Sequence, residues 1–427
     1  MAQGDSDREL IEALNDNPKV REHILALLRL ARDTTVVLAD DAEEIAYQES
    51  RKLGRDVLES WAASRTQTCV KEIKEKEKGA QRRGKKKVGW KTRLGPVETI
   101  EPQLRVGNRL IRPFILSAKV SHRGCSQGVE RIVTDFAADF PFGRVPDKLI
   151  EHHGVYVPAT SVRRICLRQA DRIAAMKSLA GAAGDRKSII AQMDGSMIPI
   201  VLIDFSQRDK RRNKTIFWKE AKVCVAYEQG SRTPVYGGTM GDVNAAGAIL
   251  YAIVQRVGFC DATHVHGVGD GATWIADQFE QQFGTQHYYL IDFFHVCEYI
   301  AAAALALTSS SVEAASWLSE QKERLKVNRL DEVLAILGSK VEPETVKDEQ
   351  APVRKSLRYL SNRRHQLNYR DAIANGLPIG SGIVESAHKH VLQRRMKIAG
   401  GWRLENAERM MVLRIVKANG DWDRQAA

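Results

Sequence analysis

An apolar run closed by Asp-Gly occurs twice in this chain, and the pair constrains its fold more than any bulk property. The first is SIIAQMD at 188–194, where Ile189 and Ile190 are adjacent β-branched residues and Asp194 follows the run directly. Such a run suits a strand covered on both faces, here with Asp194 exposed at its end. Gly195 and Ser196 then permit a turn or a close approach of backbone to a ligand, and apolar residues resume over 197–204. The second run, HVHGVGD at 264–270, ends at Asp270 and passes through Gly271 into an amphipathic helix over 272–283. Each Asp by itself is also ordinary turn chemistry. A third acid stands in GLPIGSGIVESAHKHVLQRRMKIAGGWR (376–403), where Ser381 suits an N-cap and Glu385 sits in the opening turns of a helix. Helix-start chemistry explains that acid too when it is taken alone.

Together, a strand Asp, a second strand Asp and a helix Glu are what two-metal phosphoryl chemistry needs. Hard divalent cations prefer oxygen ligands and keep several waters, so carboxylates from different elements can hold two ions and leave room for a phosphate. One ion sharpens a water or sugar hydroxyl into a nucleophile while the other stabilises the departing oxygen. The fold must therefore bring two neighbouring strand ends and one helix together.

The segments MDGSMIPI, VGDGATWI, YYLIDFFHV and GLPIGSGIVESAHKHVLQRRMKIAGGWR resemble the DDE-class transposases of bacterial insertion sequences, and among those the ISKra type. The resemblance spans residues 90–420, and its most specific part is the GSG-IVES block with the basic helix and Gly-Trp that follow. It implies that Asp194, Asp270 and Glu385 are the catalytic, metal-holding acids. It implies an α/β fold: a ribonuclease H-like core, a five-stranded mixed sheet with helices, with an all-helical insertion between the second Asp and the Glu and mainly helical DNA-binding regions before it. It implies Mg2+ as the cofactor, with Mn2+ as a substitute. The partners would be double-stranded DNA at element ends and target, and a homo-oligomer assembled on it, in the cytoplasm of a bacterium at its nucleoid. Family members carry paired cysteines after the basic linker; this chain does not, so no zinc module is expected there.

Charge agrees with a polyanionic partner: 65 Lys and Arg against 53 Asp and Glu leave a net +12. No apolar run approaches the length of a membrane span, and the start MAQGDSDREL lacks the basic and apolar regions of a secretory signal, so a cytosolic protein without membrane contact is expected. Six scattered Cys with no C-x-x-C pair signal neither a disulfide framework nor a zinc ribbon.

The remaining sequence divides as follows. Residues 1–80 read as helices, with Ile24, Leu27, Leu28 and Leu30 suited to a packed face; a bundle or dimerisation arm fits them better than direct DNA reading. Residues 81–125 are a basic linker and a small β element. In the charge run 71–91 the side chains of Arg82, Arg83, Lys85, Lys86 and Lys87 either solvate a spacer or neutralise phosphates. Gly95-Pro96 and Gly107-Asn108 predict a hairpin. Residues 126–185 are helical, and 146–172 has the pattern of a helix-turn-helix, with Gly154 at the turn and Arg163, Arg164 and Arg168 available to DNA; an ordinary helical hairpin has the same pattern.

Residues 186–297 form the first part of the core: strands at 191–200, 222–227 and 234–239, a helix at 242–258, the Asp270 strand, a helix, and a fifth strand at 287–296, with 205–221 as a basic loop or hairpin end. Asp292 and His295 form an Asp-x-x-His pattern that related transposases share. His295 is expected to touch the scissile phosphate or orient a catalytic water, and Cys297 beside it reads as buried filler. Residues 298–370 are the helical insertion, in which Trp317 is either core or a base-stacking wedge. Residues 371–427 complete the core. There Lys389, Arg394 and Arg395 would hold the DNA backbone, although Lys389, four residues after Glu385, also suits an intrahelical ion pair. The same acids would serve a stand-alone metal-dependent nuclease, and a non-catalytic DNA-binding regulator would leave them to turns and caps.

Overall fold

The computed structural model describes residues 2–175, 184–207, 209 and 213–422. Internal contacts divide the chain into two units, Met1–Cys166 and Leu167–Ala427.

The first unit opens with three helices, α1 (Ala2–Asp16), α2 (Pro18–Leu30) and α3 (Ala39–Lys76). On α2 the expected packed face is only half-buried at Ile24, Leu27 and Leu30, and Leu28 is exposed. Polar groups help tie α2 to α3: His23 Nδ1 lies 2.7 Å from Glu49 Oε2 and Nε2 lies 3.3 Å from Asp56 Oδ2. The stretch expected to be a basic linker is ordered differently. Its first residues finish α3 and the rest form β1 (Gln81–Thr92), paired antiparallel with β2 (Gly95–Val106), which in turn pairs with β3 (Arg109–Ile111).

The physical reason is alternation at the far end of β1, where Val88, Trp90 and Thr92 are buried. Val88 and Trp90 cluster with Ala62, Val97 and Phe114. Burial there fixes the register, and the ladder then carries the solvated residues 81–87 opposite β2. The turn lies at Arg93 and Leu94, so Pro96 belongs to a strand, while Gly107 turns β2 into β3 with φ of +59°. Four helices follow: α4 (Pro113–Ala118), α5 (Gln127–Asp139), α6 (Val145–His153) and α7 (Ala159–Ala175), the last running past Cys166 into the second unit. Gly154 lies at the turn as expected, ending α6 in the left-handed conformation and donating its N–H to the Leu149 and Ile150 carbonyls, and Pro158 precedes the second helix.

The second unit is an α/β sandwich around a five-stranded mixed sheet. Its elements run β4 (Ser188–Ile203), β5 (Lys214–Glu228), β6 (Val235–Thr239), α8 (Val243–Val257), β7 (His264–Gly269), α9 (Thr273–Phe283) and β8 (His287–Ile291). In space the order is β6-β5-β4-β7-β8. Strands β4, β7 and β8 are parallel neighbours, and β5 is antiparallel to both of its partners. Side chains alternate across this sheet. Ile189, Ala191, Met193, Val265, Tyr289 and Ile291 join a core with Leu250, Val254, Ile275 and Phe279 of α8 and α9.

The other face is covered by the C-terminal helices, as β6 makes plain. A methyl group at Gly237 would strike Ile249 of α8, and one at Gly238 would strike Met411 of the last helix. Between sheet and C-terminus lie α10 (Phe293–Leu307), α11 (Ser311–Lys326), α12 (Leu330–Gly338), α13 (Pro352–Asn362) and α14 (Tyr369–Ala374). Their apolar faces extend the same core through Ile300, Leu325, Val333, Leu337, Val353 and Leu360, with Trp317 packed against it. The last helices are α15 (Gly382–Ala387), a π-helical stretch (His388–Gln393), α16 (Arg394–Met396) and α17 (Leu404–Ala418). Among the described residues no helix is long and apolar enough to cross a membrane.

The first strand departs from the sequence expectation. Asp194 does not end β4, which runs on for nine residues paired with β5 from Gly195↔Lys222 to Ile203↔Lys214. Gly195 makes no turn: its missing side chain leaves room for the carboxylate of Glu220, which lies 2.8 Å from Lys222 Nζ. Likewise β8 stops at Ile291, and Asp292 begins a helix instead of lying within the strand.

Candidate active site

The sheet register sets the positions of the acids. On the β4–β7 ladder Ser188 pairs with His264 and Gln192 with Val268, an offset that puts Asp194 and Asp270 level two residues beyond the last pair. On β7–β8, Gly269 pairs with Ile291 and the Asp292 N–H still donates to the Gly269 carbonyl at 2.7 Å, so Asp292 follows level with Asp270. Three carboxylates therefore stand side by side where three adjacent parallel strands end their mutual pairing, at strand spacings of about 4.8 Å.

A single segment is strapped across this row. Over the strands, His266 Nε2 lies 2.8 Å from the Pro378 carbonyl, and the Gln192 side chain donates to the Gly380 carbonyl and accepts from the Val384 N–H. At one end of the row, Asp292 Oδ2 accepts from both the Ser381 N–H and its hydroxyl at 2.5 Å. At the other end, His388 Nε2 lies 3.2 Å from Asp194 Oδ2. Ser381, Glu385 and His388 share one helical face at i, i+4 and i+7. Seven residues at ~1.5 Å each span about 10 Å, which matches two strand spacings of ~4.8 Å. The helix that carries Glu385 between those two ends packs against β4 and β5.

Local chemistry explains each position. Asp270 Oδ1 accepts the Ala272 N–H at 2.9 Å, and Gly271 takes φ of +84° in the turn. A side chain at Gly271 would also collide with the Tyr359 hydroxyl, which donates to the Asp270 carbonyl at 3.2 Å. Arg363 stacks on the Tyr359 ring at 4.3 Å and donates to the Gly271 carbonyl. His295 meets the edges of Tyr299 and Tyr359, with centroids 5.6 and 6.2 Å away, and its Nδ1 is 3.6 Å from Glu298. It is thus one aromatic ring removed from Asp270. Asp292 is buried and caps α10 through the Phe294 and His295 N–H groups. Burial also pushes the pKa of His266 below its ordinary value, against the opposing bond to Pro378, and pushes the Cys297 thiol up to about 11. Cys297 is therefore filler rather than a nucleophile.

Asp194 Oδ1 is held by the Gly195 N–H at 2.7 Å, and Glu385 is exposed. Among the described residues no three His, Cys, Asp or Glu side chains close on a point that an ion could occupy. The backbone thus sets Asp194 and Asp270 level on adjacent strands, and the segment bearing Glu385 is bonded to Asp292 through Ser381 and lies against Asp194 at His388, while the three acidic side chains are not gathered.

The expected DNA contacts divide. Arg163, Arg164 and Arg168 are exposed on α7, and Lys389 and Arg394 are exposed beyond Glu385. Among the described residues Lys389 forms no ion pair with Glu385 within 4.0 Å, so the ion-pair alternative fails in this conformation. Arg395 does not belong with the DNA contacts. It is buried, with its guanidinium 4.7 Å from the Trp402 ring, because the helix turns it inward where the chain folds back onto β4. In the sequence His388 reads only as one of the basic groups behind Glu385, and Gln192, Tyr359 and Arg363 are not singled out. For His388 a signal was present, since its seven-residue spacing from Ser381 puts both on one helix face; the others depend on contacts between segments far apart in sequence.

Residues 258–427 match the profile of the family described as "Uncharacterised protein family (UPF0236)". The match takes in Asp270, Asp292, His295 and Glu385 but leaves Asp194 outside. A comparison with curated proteins finds no match. Among solved structures, one titled "Drosophila P element transposase strand transfer complex" aligns with 72% of this chain and 95% of that chain, at 11% identity and a TM-score of 0.38. That likeness is too slight to assign a fold.

Proposed function

We propose that this chain is a metal-dependent DNA transposase of the DDE class, which cuts DNA at element ends and joins the freed 3′ hydroxyl to target DNA. The observation that carries this reading is the shared register of Asp194 and Asp270, with the helix bearing Glu385 strapped across them from Asp292 to Asp194. The strand order β6-β5-β4-β7-β8 with β5 antiparallel supports a ribonuclease H-like core, and the helices between β8 and α15 fit an insertion before the Glu. Carboxylates on three elements, one of them exposed on a helix, fit hard divalent cations whose remaining positions are water and phosphate.

Asp194, Asp270 and Glu385 would hold Mg2+, or Mn2+ in its place; bound there, the ions would activate the attacking hydroxyl and stabilise the leaving oxygen. The chain's own part is to present these acids on rigid elements and to bring cations to the backbone phosphates. Lys389 and Arg394 lie on the exposed run after Glu385, and Arg163, Arg164 and Arg168 on α7. His295, set against Tyr359, acts on the scissile phosphate or on the water that attacks it.

The test uses purified Asp194→Asn, Asp270→Asn and Glu385→Gln proteins with element-end DNA and Mg2+. Each is expected to bind DNA as the parent does and to cut at less than about one hundredth of its rate. Undiminished cleavage by any one removes that residue from the site. Cleavage of DNA without terminal repeats, with no strand joining, would favour a stand-alone nuclease.

A further inference from the structure

We infer that His388 is a ligand of the same divalent cation as Asp194, supplying a nitrogen donor beyond the three acids; this rests on the metal-dependent reading above. His388 is 3% exposed, and neither of its ring nitrogens has a hydrogen-bond partner. Nevertheless Nε2 stands 3.2 Å from Asp194 Oδ2. At that distance an aligned N–H would make a bond, so the carboxylate oxygen lies off the ring's donor axis. Two ligands of one ion have this relation. Donor atoms each ~2.1 Å from a metal and roughly at right angles are about 3.0 Å apart, and in a tetrahedral site about 3.4 Å, with neither pointing at the other.

The surrounding chain holds the pair in place. Asp194 Oδ1 is fixed by the Gly195 N–H, which leaves Oδ2 for the ion. His388 begins the π-helical stretch, and Arg414 braces that stretch, donating from Nε to the Val391 carbonyl at 2.8 Å and from Nη2 to the His390 carbonyl. A π-turn inserted into a helix often marks a functional site. Here it sets the ring of His388 against Asp194 one turn after Glu385. An imidazole donor shifts preference from Mg2+ toward Mn2+ and later transition metals, so the site would take Mn2+ more tightly than Mg2+.

The experiment uses the full-length protein without DNA, titrated with MnCl2 or MgCl2 by calorimetry and examined with bound Mn2+ by pulsed EPR. The parent is expected to bind Mn2+ at least ~10-fold more tightly than Mg2+ and to show imidazole nitrogen coupling to the bound ion. His388→Gln is expected to lose that coupling and ~10-fold or more of Mn2+ affinity, while Mg2+ affinity changes by less than about threefold. Absence of nitrogen coupling in the parent overturns the inference even if the variant fails to fold. So does unchanged Mn2+ affinity in a folded His388→Gln. The two readings fail separately. Nitrogen coupling lost in His388→Gln, in a protein that never cuts DNA, would sink the transposase and keep the ligand. Metal-dependent cleavage without nitrogen coupling would do the reverse.

Discussion

At the scale of single residues, Asp292 does more for the structure than any of the three proposed catalytic acids. Its carboxylate accepts from Phe294, His295 and, twice, from Ser381, so it caps one helix and anchors the segment leading to another. Asp292→Ala leaves these donors facing a cavity, and the second unit should lose roughly 3–5 kcal/mol, read from urea unfolding. The Asp-x-x-His spacing was legible in the sequence, but the role was not, because Ser381 lies 89 residues further on. Two buried thiols give a pH dependence. Burial raises Cys297 to about 11 and Cys224 to about 12 from an ordinary value of 9.0. Their preference for the protonated folded state contributes in full below about pH 9. It is lost as pH rises from there toward 11 and 12, since the unfolded chain ionises first. Unfolding midpoints measured across that range should fall, and both thiols should resist alkylation in the folded protein near neutral pH.

At the scale of elements, the long β4–β5 ribbon and the π-helical stretch are the parts that sequence pattern could not supply. Asp-Gly-Ser after an apolar run has turn chemistry. It stays extended because β5 begins at Lys214, earlier than its apolar stretch suggests, and provides a ladder partner for every residue of β4 beyond Asp194. Conversely, the strand-helix alternation from β6 to β8 was legible, since each strand there is a short apolar run bounded by Gly or Asp. The π-turn has no residue signature; it is braced by bonds from Arg414, which lies more than twenty residues away in sequence. Arg414→Met keeps the stem and removes the donors. It should cost the second unit about 2–3 kcal/mol and lower DNA cleavage more than DNA binding, measured side by side below the melting temperature.

At the scale of the whole molecule, a net +12 over the two units gives the proposed transposase a sequence-independent component of DNA affinity. Raising salt from about 50 to 200 mM should weaken binding by more than tenfold in a filter or anisotropy assay, and Arg163→Ala or Arg394→Ala should flatten that slope by about one unit each. Arg395→Ala, being a change in the interior, should lower the melting temperature and leave the slope as it was. Composition anticipated the charge, but only the fold separates Arg394 from its neighbour, because adjacent positions on a helix face different surroundings. The chain also closes on itself late: Trp402 exchanges backbone bonds with Pro199 and Val201, and fastens the end of the Glu385 helix to the first strand. During synthesis the ribosome releases Asp194 and Asp270 long before it reaches these residues. A nascent or truncated polypeptide would thus hold two acids on an uncovered sheet without the helix that bears Glu385, and on the proposed reading cutting would have to wait until that helix is fastened down.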